Sequence, residues 1–83
     1  MNMKELYRAF LESTGVSTDS RAVKEGSLFF ALKGENFDGN DFALKAIESG
    51  ARYAVVDRVE LAGEEGIIVV EDTLTARQSL ARY

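Results

Sequence analysis

The sequence contains no cysteine and no histidine among its 83 residues. Without cysteine there are no disulfide staples and no thiolate nucleophile, and without either residue the usual zinc sites are excluded. A Ser-His-Asp arrangement is excluded as well, since no imidazole can activate a serine. Any chemistry must run on carboxylates, lysine, arginine, tyrosine, hydroxyls or backbone amides. Positive charge is also scarce: 10 Lys and Arg against 14 Asp and Glu give a net charge of −4. Non-specific nucleic-acid binding needs a basic footprint, so no nucleic-acid partner is expected. No two basic residues are adjacent, which leaves no polybasic patch for a membrane surface. No apolar run approaches the ~20 residues that span a bilayer. The N-terminal MNMKELYRAF also lacks the long apolar core of a signal peptide. The expectation is a cytoplasmic protein without a membrane partner.

What is present fits one small domain with one modest core. A chain of this size buries about 60–65% of its unfolded surface. A stability of about 4–12 kcal/mol is typical. Residues 3–13 read as a helix, with Met3, Leu6, Tyr7 and Phe10 as its apolar stripe. Asn2 and Glu5 have capping-box spacing, and Gly15 is the expected stop. VSTDSR (16–21) is β-compatible, VKEG (23–26) reads as a turn, and SLFFAL (27–32) as a strand covered on both faces. A second helix is expected over 41–49, with Phe42, Ala43, Ala46 and Ile47 buried and Asp41 paired to Lys45 outside. Gly50 ends it. YAVVD (53–57) and GIIVV (66–70) are two further strands. A last helix starts near Asp72 or Thr73 and carries Leu74, Ala76, Leu80 and Tyr83. The chain ends inside this pattern, as expected of a piece of something longer. Strands alternating with helices imply an α/β fold: a small, largely parallel or mixed sheet of about four strands flanked by helices.

The loop in ALKGENFDGNDF (31–42) is the first candidate site. A calcium loop with Gly39 at its sixth position would place Gly34 first and Lys45 twelfth, where a bidentate carboxylate is needed. A Walker phosphate cradle would need Lys and Ser/Thr after Gly39, where Asn40 and Asp41 stand. The plain reading is a strand-to-helix loop: Gly34 and Gly39 supply φ > 0, Asp38 makes an Asx turn and Asn40 caps the helix. Phe37 fits that reading poorly. An aromatic and exposed amides at the carboxyl edge of such a sheet would suit a planar base. STDSR (17–21) is the second candidate, either as a local Asx or ST turn or with Arg21 as an anion fork helped by Thr18 and Ser20. Arg21 could equally pair with Asp19 at the surface. The acidic residues Asp57, Glu60, Glu64, Glu65, Glu71 and Asp72 read as a solvated face. Tyr7, Phe10, Phe29, Phe30 and Phe42 read as core.

Taken in order, Asp19-Ser20-Arg21, Gly26, Leu28-Phe29-Phe30-Ala31, Gly34, Asp38-Gly39, Phe42, Ala46, Gly50-Ala51 and Val55-Val56 resemble the N-terminal, UDP-binding domain of the Mur ligases. IIVVEDTLTARQSLA resembles that domain's last strand and helix, so the likeness covers nearly the whole chain. Glu25 and Asn40 depart from it, standing where many relatives have proline and histidine. STDSR and LKGENFDG are more similar to the MurF type than to the MurE type. The resemblance implies that 1–83 is one substrate-anchoring domain, with the parent's central ATPase and C-terminal domains outside it. The parent would use ATP and magnesium to join D-alanyl-D-alanine to UDP-N-acetylmuramoyl-tripeptide in peptidoglycan synthesis. This domain itself would hold no cofactor, metal or catalytic residue, and its partners would be that substrate and the parent's own ATPase domain. By motif, Thr18 and Ser20 would meet the uridine and its phosphates, and Glu35, Asn36 and Phe37 the uracil. Gly34, Asp38 and Gly39 flank that lip, and Arg21 and Lys33 are added on physical grounds for the diphosphate or for loop positioning. A MurE-type parent and a free-standing α/β interaction module are the alternatives.

Overall fold

The computed structural model describes residues 3–33 and 38–82. Along the chain it forms α1 (Met3–Glu12), β1 (Val16–Ser17), β2 (Leu28–Phe30), α2 (Ala43–Glu48), β3 (Tyr53–Val56), β4 (Ile67–Val69) and α3 (Thr73–Arg82). Short 3-10 turns at Ser20–Ala22, Gly39–Phe42 and Val59–Leu61 lie in the connections. The four strands stand in chain order, each parallel to its neighbour, with Ser17 beside Phe29, Phe29 beside Ala54 and Val55 beside Ile68. The α/β class is as expected, and the sheet is wholly parallel.

Side chains alternate across the sheet and build two apolar layers. Leu28, Phe30, Val55 and Ile68 meet Leu6 and Ala9 of α1 and Ala76 of α3. Phe29, Ala31, Ala54 and Val56 meet Ala43 and Ala46 of α2. The second layer is rich in alanine, which lets α2 lie close on the strands. Right-handed crossovers between successive parallel strands must share one face. Val23, α2 and Leu61, one from each connection, all pack in the Phe29 layer. That leaves the opposite face to α1 and α3. The continuous apolar run of β2 follows from this: Leu28, Phe29 and Phe30 are all buried because both faces are covered.

Several boundaries differ from the sequence reading for local reasons. α1 ends at Glu12 without help from Gly15, whose φ is ordinary. The Ser13 amide and hydroxyl both donate to the Phe10 carbonyl, and the Thr14 amide donates across to Gly26. Gly50 does end α2 as expected, with φ +118° and its amide donating to Ile47. α3 starts at Thr73, where the Asp72 carboxylate accepts the Leu74 and Thr75 amides. Its inward stripe is the buried Thr73 and Ala76 with the partly buried Leu80, not Leu74, which is 50% exposed. The expected roles of Asn2 and Tyr83 fall outside the described residues.

Candidate functional site

Parallel strands deliver their loops to one edge, outside their carboxyl ends, where α/β folds hold ligands. Here the β1–β2 connection and the turn before α2 meet over the end of β2. Thr18, Asp19, Ser20 and Arg21 from the first, and Gly39 and Phe42 from the second, line a cleft of about 460 Å³ with Phe29 beneath. Phe42 is 39% exposed, so it is a wall of this cleft and not the buried helix residue expected from spacing. The 3-10 turn explains the difference, because Phe42 precedes α2 and does not share its helical phase.

The first segment is shaped by Asp19. Its Oδ1 accepts the Arg21 backbone N–H at 2.9 Å and Nε at 3.2 Å. The Arg21 hydrogen bonds lower the Asp19 pKa, and the same contacts raise that of Arg21. The Arg21 side chain is 89% exposed, so water screens this pair and it adds little to stability. The local Asx turn and the surface pair with Asp19 are both present, and Arg21 stands at the lip of the cleft.

The second segment is anchored by a buried polar network. Asn40 is 3% exposed. Its Nδ2 donates to Asp38 Oδ1 at 2.7 Å and to Asp57 Oδ1 at 2.8 Å, and its Oδ1 accepts the Asp57 backbone N–H at 3.0 Å. Thr73 Oγ1 donates to the Ala31 carbonyl at 2.9 Å and lies 3.4 Å from Asp57 Oδ2. Arg58 spans Asp38 Oδ2 at 2.6 Å and Asp41 Oδ1 at 2.8 Å. Lys33 Nζ lies 3.8 Å from Asp57 Oδ1, and Lys33 and Asp38 pair as an isolated antiparallel bridge.

Four expectations are corrected by this network. Asn40 does not cap the helix; Asp38 caps the 3-10 turn by accepting the Asn40 amide. Asp41 pairs with Arg58, not with Lys45. Asp57 is no part of a solvated face, its side chain being 12% exposed. Gly39 is required for space, not for φ, which is ordinary there. A Cβ on it would sit 2.6 Å from the Leu32 carbonyl oxygen and 2.7 Å from the Leu32 nitrogen. The turn also does not fit ATP phosphates, since the Asn40 side chain is engaged with Asp38 and Asp57 and Asp41 is bound to Arg58.

Burial opposes the charge on Asp38, but the Asn40 backbone and amide donors and the Arg58 guanidinium outweigh it and lower its pKa from 3.8 to about 2. A carboxyl whose pKa falls on folding stabilises the fold above its unfolded value, and that contribution is lost as the pH drops through the folded value. Between about pH 4 and about pH 2 the domain is expected to lose on the order of 1 kcal/mol from this group, partial exposure allowed for. Urea unfolding across that window checks it, and Asp38→Asn should make the acid slope shallower.

Of the residues singled out in the sequence, Thr18, Ser20, Arg21 and Gly39 come together at the cleft. Lys33 and Asp38 lie in the adjoining network. Gly34, Glu35, Asn36 and Phe37 lie outside the described residues. Phe42, Asn40, Asp57, Arg58 and Thr73 were not read as site residues. The available signal for Asp57 and Arg58 was their place directly after a β-branched run, at a strand's carboxyl end.

These features define an α/β domain with a ligand cleft outside the carboxyl ends of parallel strands. Residues 12–82 match the family described as "Mur ligase family, catalytic domain". The chain belongs to the Mur ligase family and has the fold of its N-terminal domain. It is 44% identical over 70 residues to the UDP-N-acetylmuramoyl-tripeptide–D-alanyl-D-alanine ligase of Bacillus subtilis, covering 82% of this chain and 15% of that enzyme. It is 39% identical over 75 residues to the UDP-N-acetylmuramoyl-L-alanyl-D-glutamate–2,6-diaminopimelate ligase of Rickettsia typhi, covering 90% and 15%. The crystal structure of the MurF ligase of Thermotoga maritima in complex with ADP superposes with a TM-score of 0.77 at 33% identity, covering 88% of this chain and 17% of that one. The chain thus spans about a sixth of the length of its relatives.

Proposed function

We propose that this chain anchors the UDP end of UDP-N-acetylmuramoyl-tripeptide in a cytoplasmic peptidoglycan ligase of the MurF type, which adds D-alanyl-D-alanine. The observation that carries this reading is the cleft itself, which Thr18, Ser20, Arg21, Phe29 and Phe42 line together. A half-exposed aromatic suits a pyrimidine face, and base–aromatic stacking is worth about 1–3 kcal/mol. Arg21 offers a charge-assisted bond to the diphosphate. Gly34, Glu35, Asn36 and Phe37 enter the proposal through motif alone. The sequence carries no Walker motif, so ATP and magnesium would belong to the parent's other domains. In that parent the chain's contribution is binding energy remote from the reacting carboxylate, used to position it. The 39% identity to a diaminopimelate ligase keeps a MurE-type parent as the second reading.

An amide NMR titration with UDP-N-acetylmuramoyl-tripeptide tests this. Shifts are expected at Thr18–Arg21 and Gly39–Phe42, and Phe42→Ala is expected to weaken binding about tenfold. No shifts at millimolar ligand, or shifts confined to the opposite edge of the sheet, would sink the reading.

A further inference from the structure

The Gly39–Phe42 turn brings two residues to the cleft, yet it is held from behind, by the end of β3. The turn has only four residues, and its Gly39 amide donates to the Leu32 carbonyl, just past β2, at 2.8 Å. Side chains add further fixings. Asp38 precedes the turn and Asp41 lies within it, and a single guanidinium, Arg58, bonds to both. Without that cation the two carboxylates, joined nearby by Asp57, would repel one another. Lys33 is the other cation of the group, and it faces Asp57.

We infer that Arg58 is a positioning residue for the cleft: by clamping Asp38 and Asp41 it sets where Gly39 and Phe42 stand, and so tunes nucleotide affinity without touching the nucleotide. The inference rests on the anchoring reading above. Arg58 is not among the residues that line the cleft, so its effect on a ligand has to pass through the turn. Its side chain is 36% exposed and joins no apolar layer, so its direct contribution to the fold is small. Its geometric contribution is specific, because a planar fork can hold two carboxylates at fixed separation and an ammonium cannot.

The test uses the whole chain, unmodified and as Arg58→Ala and Arg58→Lys, with two readouts. The first needs no ligand: hydrogen exchange at the Gly39 amide, with the Ala54 amide, bonded to Gly66, as the reference inside the sheet. In Arg58→Ala the Gly39 amide is expected to exchange about fivefold faster while Ala54 is unchanged. The second is titration with UDP, where the dissociation constant is expected to rise about fivefold, with Arg58→Lys between the two. A purely structural role would move Ala54 together with Gly39. Unchanged Gly39 exchange overturns the inference, as does faster exchange with UDP affinity held within about twofold. If the unmodified chain does not bind UDP, the anchoring reading fails, and the Gly39 exchange alone decides whether Arg58 positions the turn.

Discussion

Replacing Gly39 with alanine is expected to destabilise the domain by about 3 kcal/mol or more and to abolish the nucleotide binding proposed for the cleft. The added Cβ would stand 2.6 Å from the Leu32 carbonyl oxygen, 2.7 Å from the Leu32 nitrogen and 2.9 Å from the Ala31 carbonyl carbon. All three are backbone atoms at the exit of a fully buried strand, so no side-chain rotation relieves the overlap. Either the turn lifts off β2 or β2 shifts. Lifting breaks the hydrogen bond from the Gly39 amide to Leu32 and moves Asp38, Asn40 and Arg58 out of register. The ordinary φ of Gly39 makes the prediction sharp, since backbone preference plays no part. Urea unfolding with a parallel UDP titration checks it. A Gly39→Ala domain within about 0.5 kcal/mol of the unmodified one would mean the turn does not lie against β2 as described.

Phe30→Ala is expected to cost about 3–5 kcal/mol, the range for removing a fully buried aromatic. Phe30 is 0% exposed and packs with Leu6, Leu28, Val55, Ile68 and Ala76 between the sheet and the α1/α3 layer. A domain of this size has about 4–12 kcal/mol in total, so the variant should stand near the edge of unfolding. Phe30 faces away from the cleft, whose floor is Phe29 on the other face. Phe30→Leu keeps most of the apolar volume and is expected to lose less than half as much. Thermal and urea melts of the two variants measure this, and equal losses would contradict the packing described.

The strands were legible because their signal is local. SLFFAL, YAVVD and GIIVV are β-rich runs bounded by glycine and charge, and each marks a strand. α2 was legible through Ala43 and Ala46, but its start was not, because a 3-10 turn has no periodicity to read. That turn is why Phe42 was placed in the core and Asn40 at a cap. Asp57 and Arg58 were missed for a different reason. Their partners lie 16 to 24 residues away, and spacing along the chain does not report which loops a parallel sheet gathers at one edge. Family resemblance singled out Thr18 and Ser20, and Arg21 was added on physical grounds; the fold gives the reason they meet Gly39, since β1 and β2 are adjacent and parallel and the segments that follow them emerge side by side.

In the proposed function these two segments together grip a uridine nucleotide. Intermolecular NOEs between bound UDP and the chain test it most directly. Cross-peaks are expected from the pyrimidine ring protons to the Phe42 ring and from the ribose to the Thr18 and Ser20 side chains. A bound nucleotide whose cross-peaks run to α1, α3 or the amino ends of the strands, with none to Phe42, would contradict it.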